Sequence, residues 1–454
     1  MDKYLSRSID QALLEWKDNP RRKPLLVRGA RQVGKSSTIR HFGKNFKYFL
    51  EVNVERNPEV MEFFKGSRDV KSITAKLSDF FNVPVVPGET LLFLDEIQKC
   101  EDVIHSLWFF KEDYPELHVI AAGSLLEFAL KNLSSFGVGR VSSLFVYPMS
   151  FDEFLTATGQ EGLLRTKRNS SPTNPLSEAF YNRLVEAFRS YMLVGGMPEA
   201  VATYSETGSY RYSSDIVNEI IQGYQDDFAK YGAKANPLLL RQTLISVAHQ
   251  AGAKFVCSRV EGQYRSAEVK VALEMLKDAG LIIPTYHTDA NGVPLGAEIN
   301  ERVVKYLIHD TGVLLGILGI DDDIDDSIKE MMVADSIDLV DKGHVAEMMA
   351  GLELIKYSSP QTRHQLYYWQ NMNKGTCAEV DYVIARSGSI VPIEVKSGVK
   401  GSMSSMYSLM RNPQKHIEMG IRCSLENFGT FASPNGKKID IIPLYAISNL
   451  FAEK

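Results

Sequence analysis

The sequence predicts an α/β protein, and three stretches carry that expectation. The apolar run Leu25-Leu26-Val27 leads into Gly29-Ala30-Arg31-Gln32-Val33-Gly34-Lys35-Ser36 and then a helix pattern from Ser36 to Phe42. The run Thr90-Leu91-Leu92-Phe93-Leu94 ends in the carboxylates Asp95-Glu96. Near the C-terminus, EVDYVIAR and IVPIEVKSG flank Ser387-Gly388 and read as a strand hairpin. At 454 residues, with 44% hydrophobic and 24% charged residues, the chain has the composition of a globular protein of two or three domains.

The first stretch is a strand, a glycine loop and a helix, the context in which G-x-x-x-x-G-K-[ST] binds phosphate. Glycines let successive backbone N–H groups face an anion, and the positive end of the following helix adds to the field. A nucleotide would therefore lie along Gly29, Ala30, Arg31, Gln32, Val33, Gly34, Lys35, Ser36 and Ser37. Lys35 would reach the β- and γ-phosphates, and the Ser36 hydroxyl would ligate Mg²⁺. Ahead of this loop, Leu5, Ile9, Leu13 and Trp16 recur at helical spacing over residues 3–17. That helix reads as packing, with a seat for a nucleobase as the alternative.

Tyr48 to Val54 alternates like a strand, and Ser72 to Phe81 reads as a helix. A continuous apolar strand such as Thr90–Leu94 is buried on both faces of a parallel sheet. Ligands sit at the carboxyl ends of such strands. Asp95 would thus hold Mg²⁺, and Glu96 would polarise an attacking water. The next strand, Leu117 to Ala122, ends at Gly123-Ser124. Ser124 can bond a γ-phosphate or the water there, or simply cap a helix. Gly139-Arg140 precedes a strand from Ser143 to Tyr147. Arg140 is a candidate arginine finger, in cis or from a neighbouring subunit of an oligomer, with a solvated or ion-paired arginine as the alternative.

In the middle of the chain, residues 161–176 are polar and turn-rich and read as a surface loop. Helical patterns run from Pro175 to Tyr231, broken at Gly195-Gly196-Met197-Pro198, which reads as a hinge. From Pro237 to Pro284 the order is helix, turn, helix, strand, with Val269, Val271, Leu273 and Leu276 on the apolar side of the second helix. This order suits a winged helix, a fold that reads DNA or binds proteins. Its charges alternate in sign without a basic stripe. The acidic run Asp321–Asp326 lacks the spacing of a calcium loop and reads as a solvated linker.

The C-terminal stretch brings a second cluster. Glu347 lies on a helix pattern, Asp381 on one strand of the hairpin, and Glu394 and Lys396 on one face of the other. Three carboxylates can hold a divalent metal ion and its water beside a phosphodiester, with Lys396 orienting or stabilising. Lys400, Arg411, Lys415, Arg422, Lys437 and Lys438 follow with few acids, either a local phosphate-binding face or scattered surface cations.

The net charge of -5 excludes a global electrostatic pull toward nucleic acid. Cys100, Cys257, Cys377 and Cys423 are far apart, which argues against a zinc site or a disulfide framework. No apolar run approaches the ~18 residues of a membrane helix, and residues 1–20 lack the apolar core of a signal peptide. The expectation is a cytoplasmic protein.

The motifs LLVRGARQVGKSS, LLFLDEIQ, HVIAAGSLLEF, GRVSSLFVYPMSFDEFL, YMLVGGMPEAV and KYLIHDTG together resemble AAA-type ATPases of bacteria and archaea that carry an uncharacterised C-terminal region. The resemblance spans nearly the whole chain. It implies an AAA ATP-binding domain over 1–155 and a helical connector over 156–235. A winged-helix-like region over 236–335 and a nuclease-like α/β domain over 336–454 would follow. ATP as the nucleotide is likewise implied by the resemblance. Ser36-Ser37 stands where the family commonly has two threonines, and serine keeps the metal-ligating hydroxyl. The C-terminal cluster is similar to the PD-(D/E)xK nuclease pattern. That implies an ATP-regulated DNA enzyme, with an ATP-driven switch that uses an inactive C-terminal fold to bind a protein as the rival.

Overall fold

The computed structural model describes residues 4–132, 139–231, 236–319, 342–371, 378–398 and 401–451. The acidic run Asp321–Asp326, Cys377 and Lys400 lie outside them. The chain divides into two compact units. The first is Met1–Tyr147 with Asp278–Leu281 and Ser359–Arg363, and the second is Pro148–Lys277, Ile282–Ser358 and His364–Lys454.

The first unit holds α1 (Ile9–Asp18), β1 (Leu25–Arg28), α2 (Lys35–Gly43), β2 (Tyr48–Asn53), α3 (Met61–Phe64), α4 (Val70–Phe81), β3 (Thr90–Asp95), α5 (Glu101–Asp113), β4 (His118–Ala122), α6 (Leu126–Asn132) and β5 (Ser142–Phe145). All five strands are parallel, in the order β2-β3-β4-β1-β5. Every residue of β3 and β4 is buried, as strands covered by helices on both faces must be. Helix α1 starts at Ile9, later than its spacing suggested, and buries Ile9, Leu13 and Trp16. Just before it, Arg7 donates to the Val33 carbonyl at 3.0 Å and the Tyr147 carbonyl at 2.7 Å. The segment therefore braces the glycine loop.

The second unit continues with α7 (Phe151–Ala157), α8 (Glu161–Arg168), α9 (Glu178–Val194), α10 (Pro198–Thr207), α11 (Tyr210–Asp227), α12 (Pro237–His249) and α13 (Ser266–Asp278), whose last residue falls in the first unit. The hairpin β6 (Ile282–Thr288) and β7 (Ile299–Ile308) follows, then α14 (Thr311–Ile317), α15 (Lys342–Lys356) and β8 (Leu366–Gln370). The chain closes with β9 (Glu379–Val380), β10 (Tyr382–Arg386), β11 (Ser389–Val395), α16 (Ser404–Arg411), β12 (Met419–Ser424), β13 (Gly429–Ala432) and β14 (Lys438–Pro443). Two sheets form, β7-β6-β8-β9 and β10-β11-β12-β14-β13. The first joins the β6–β7 hairpin to β8 and β9, so its strands come from both sides of residue 335.

Three local expectations change. Residues 161–168 are helix α8, because Leu163, Leu164 and Lys167 all face inward. Lys167 is fully buried against Asp152 and donates to Ser448 Oγ at 2.7 Å. On α13, Val269, Leu273 and Leu276 are buried while Val271 is exposed. Most consequentially, Gly195-Gly196, read from sequence as a hinge, is closely packed in the fold. The Gly196 N–H donates to Asp310 Oδ2 at 2.6 Å, and its carbonyl accepts from Met149 N at 2.6 Å. A Cβ on Gly196 would lie 2.2 Å from the Met149 carbonyl oxygen. Gly196→Ala is expected to destabilise the fold by roughly 1–3 kcal/mol through overpacking. Thermal unfolding reads this as a lowered Tm, and an unchanged Tm would mean the packing yields freely.

Candidate nucleotide site and a C-terminal charged cluster

The glycine loop leaves β1 with a bend that only glycine accommodates. Gly29 has φ +148°, and a Cβ there would meet the Val146 carbonyl oxygen at 2.1 Å. Gln32 and Gly34 also take positive φ, at 64° and 91°, and Gly34 delivers the chain into α2. Lys35 folds back over the loop, donating to the Gly29 carbonyl at 3.0 Å and the Ala30 carbonyl at 2.7 Å. Burial pushes its pKa down to about 8, against the raising effect of Glu96 and Asp95.

At the end of β3, Asp95 Oδ2 accepts from Ser36 Oγ at 3.1 Å and from Asn53 Nδ2 at 3.5 Å. Burial, then the neighbouring Glu96 charge, raises the Asp95 carboxyl above its ordinary range. A hydroxyl and a buried carboxylate in contact form the hard-oxygen donor set that Mg²⁺ takes. Glu96 follows in the left-handed region at φ 54°, a strained placement for a non-glycine residue.

Strand order explains Ser124. Because β4 lies between β1 and β3, the end of β4 falls between the glycine loop and the Asp95-Glu96 pair. There the Ser124 hydroxyl donates to Glu96 Oε2 at 3.0 Å, and its N–H approaches the same oxygen at 3.4 Å. Gln98 Nε2 also donates to Glu96 Oε2 and reaches Ser124 Oγ at 3.4 Å. Gln98 and Arg7 were missed from sequence. Gln98 carried a signal, standing two residues past Glu96, whereas Arg7 carried none.

Arg140 stands apart. It precedes β5, whose start is level with the start of β1, so it lies at the opposite end of the strands from the glycine loop. It pairs with Glu112 at 2.8 Å, lies 5.5 Å from the Trp108 ring centroid and is about half exposed.

In the second unit the hairpin turns through Ser387 and Gly388, both at positive φ, as a tight two-residue turn requires. Its register, Tyr382 against Ile393, sets Asp381 opposite Glu394. Asp381 Oδ2 accepts from Val395 N at 2.7 Å, and Glu394 Oε1 accepts from Lys396 Nζ at 2.7 Å. Glu347, on α15, accepts from Lys305 Nζ at 2.8 Å. Lys305 also donates to Glu379 at 2.5 Å, and neither residue was anticipated. Lys305 did carry a signal, as the one cation within the apolar run VVKYLI. Burial raises Glu347 to about 8 and Glu394 to about 7, the latter helped by the Asp381 charge. Burial also raises Asp381. Among the described residues, no three His, Cys, Asp or Glu side chains are arranged to hold a metal ion. Glu347, Asp381 and Glu394 thus share a neighbourhood without forming the ligand set expected of them.

The basic face expected downstream is largely engaged. Lys415 bonds the Asp289 carbonyl and Asn291, Arg422 pairs with Glu426, Lys437 bonds the Met410 and Ile417 carbonyls, and Lys438 pairs with Asp440. These cations hold loops and strand ends in place, while Arg411 is exposed.

Residues 21–155 match the AAA domain family. The glycine loop, Asp95 and Glu96 all lie within that match, so this stretch is similar to AAA-type P-loop domains. Residues 185–324 and 342–447 match two domains of unknown function, DUF8612 and DUF4143. No curated protein matches. Among solved structures, a Walker-type ATPase of Pyrococcus abyssi is 17% identical, with 69% of this chain and 96% of that chain covered, at a TM-score of 0.44. The Aeropyrum pernix ORC1 protein, solved in complex with DNA, is 13% identical over 74% and 96% of the two chains, at 0.29. Protein VC1899 of Vibrio cholerae is 10% identical over 80% and 89%, at 0.17. No helix among the described residues is long and apolar enough to cross a membrane.

Proposed function

We propose that this chain is a Mg²⁺-dependent, ATP-hydrolysing switch whose second unit binds a protein partner and does not cut nucleic acid. Lys35 and the loop N–H groups hold the phosphates. Ser36 and Asp95 hold Mg²⁺, which when bound screens phosphate charge. Glu96 orients the attacking water and accepts its proton, and Ser124 bonds Glu96 until a γ-phosphate draws it away. From its place across the sheet, Arg140 would serve the site of a neighbouring copy in an oligomer. The observation that carries the switch reading is the state of the C-terminal carboxylates. Each of the three has one oxygen engaged within the protein, Glu347 Oε1 by Lys305, Glu394 Oε1 by Lys396 and Asp381 Oδ2 by the Val395 N–H.

A second reading, metal-dependent DNA cleavage regulated by ATP, is favoured by the register that sets Asp381 opposite Glu394 beside Lys396. One experiment separates them. Single-stranded, duplex and branched DNA are incubated with Mg²⁺ or Mn²⁺, with and without ATP, using intact protein and Lys396→Ala. Hydrogen exchange across residues 148–451 is followed with ATP and with ADP. The switch reading expects no cleavage and a nucleotide-dependent change in exchange. Cleavage lost in Lys396→Ala would replace it with the nuclease, and identical exchange in both nucleotides would remove the switch.

A further inference from the structure

We propose that the Lys305 ammonium is the resident cation of the C-terminal cluster, filling the place a divalent ion would otherwise take. This inference rests on the reading of the second unit as non-cleaving. Lys305 is 1% exposed, fixed on β7 by the ladder pairing with Thr285, and it reaches a cluster built from other elements. Its Nζ lies 2.8 Å from Glu347 Oε1 on α15 and 2.5 Å from Glu379 Oε1 on β9, and 5.0 Å from the Tyr368 ring centroid. A buried ammonium is tolerated only when paired and bonded, and here two carboxylates and a ring face supply that.

The same contacts exclude a metal. An ion arriving at Glu347 would have to push the ammonium off both carboxylates while the tether keeps it in the same buried space, where like charges repel strongly. Lys396 likewise covers Glu394 Oε1. Glu394 Oε2 is buried without a hydrogen-bond partner, so the cluster keeps an unused ligand atom. Removing Lys305 frees Glu347 and Glu379 alongside Glu394 Oε2 and Asp381. Four carboxylates and one lysine then remain in the cluster, the carboxylates being hard oxygen donors that side-chain rotation can bring onto one divalent cation once the ammonium is gone.

Mn²⁺ binding to the full-length, nucleotide-free protein tests this, read by electron paramagnetic resonance of free ion. The nucleotide loop is identical in all variants, so differences report the C-terminal cluster. Lys305→Gln is expected to gain one Mn²⁺ per chain at least tenfold tighter than any site in the intact protein. Adding Asp381→Asn should remove the gain. If circular dichroism shows that Lys305→Gln does not fold, Lys305→Gln with Glu379→Gln removes the lysine and one partner together and is read the same way. A folded variant that binds no more Mn²⁺ than the intact protein overturns the role of Lys305 while leaving the non-cleaving reading in place. Asp381-dependent Mn²⁺ binding by the intact protein overturns both.

Discussion

Lys35→Ala is expected to abolish measurable ATP binding. The side chain is buried against its own loop, where it holds the Gly29 and Ala30 carbonyls. Its loss removes both the phosphate contact and the brace that shapes the N–H cradle. Truncating one partner of a buried charge pair costs roughly 2–5 kcal/mol, on the order of thirty-fold to several-thousand-fold in affinity. Calorimetric titration with ATP reads it directly, and binding within threefold of the intact protein would remove Lys35 from the site. The intact protein should also show a proton linkage of definite sign. Burial lowers the free Lys35 to about 8, and bound phosphates favour the charged ammonium and raise it. Below pH 8 the lysine is already charged and binding takes up no proton. Above pH 8 binding must protonate it, so affinity falls as pH rises. Titrations in buffers of different ionisation enthalpy would show this uptake only on the alkaline side.

Glu96→Gln is expected to bind ATP as well as the intact protein does and to turn it over about 10²–10⁴-fold more slowly, the range for loss of a general base. The amide keeps the shape and can still meet Ser124 and Gln98, so the fold and the nucleotide contacts survive. It cannot accept the proton of the attacking water. The separation of an intact Kd from a collapsed turnover rate identifies the role, because a merely structural Glu96 would lower both or neither. Full hydrolysis by Glu96→Gln would transfer the task to another group.

Much of the nucleotide site was legible because it is local. The glycine loop is continuous in sequence, and Asp95-Glu96 terminates a run whose apolarity betrays a doubly covered strand. The place of Ser124 was only half legible. Its proximity to Glu96 depends on β4 being inserted between β1 and β3, a fact of strand order. Strand direction decides Arg140 in the same way, setting it across the sheet from its own loop. In the second unit the β10–β11 hairpin was readable from Ser387-Gly388, and with it the meeting of Asp381 and Glu394. Lys305 was not, since it pairs with Glu347 from 42 residues away on a strand of the other sheet. Helix α8 was missed for a related reason. Lys167 reads as a surface cation until Asp152, from another helix, makes its burial tolerable. Gly195-Gly196 was only half legible because a glycine pair signals freedom of backbone and closeness of packing equally, and the packing against Met149 and Asp310 comes from distant segments.

The most direct measurement of the central claim is phosphate release from ATP by the purified chain, with Mg²⁺ and with EDTA, beside Glu96→Gln. The account predicts turnover that requires Mg²⁺ and is lost in the variant. ATP bound by the intact protein with no phosphate released, or released equally by Glu96→Gln, would contradict it.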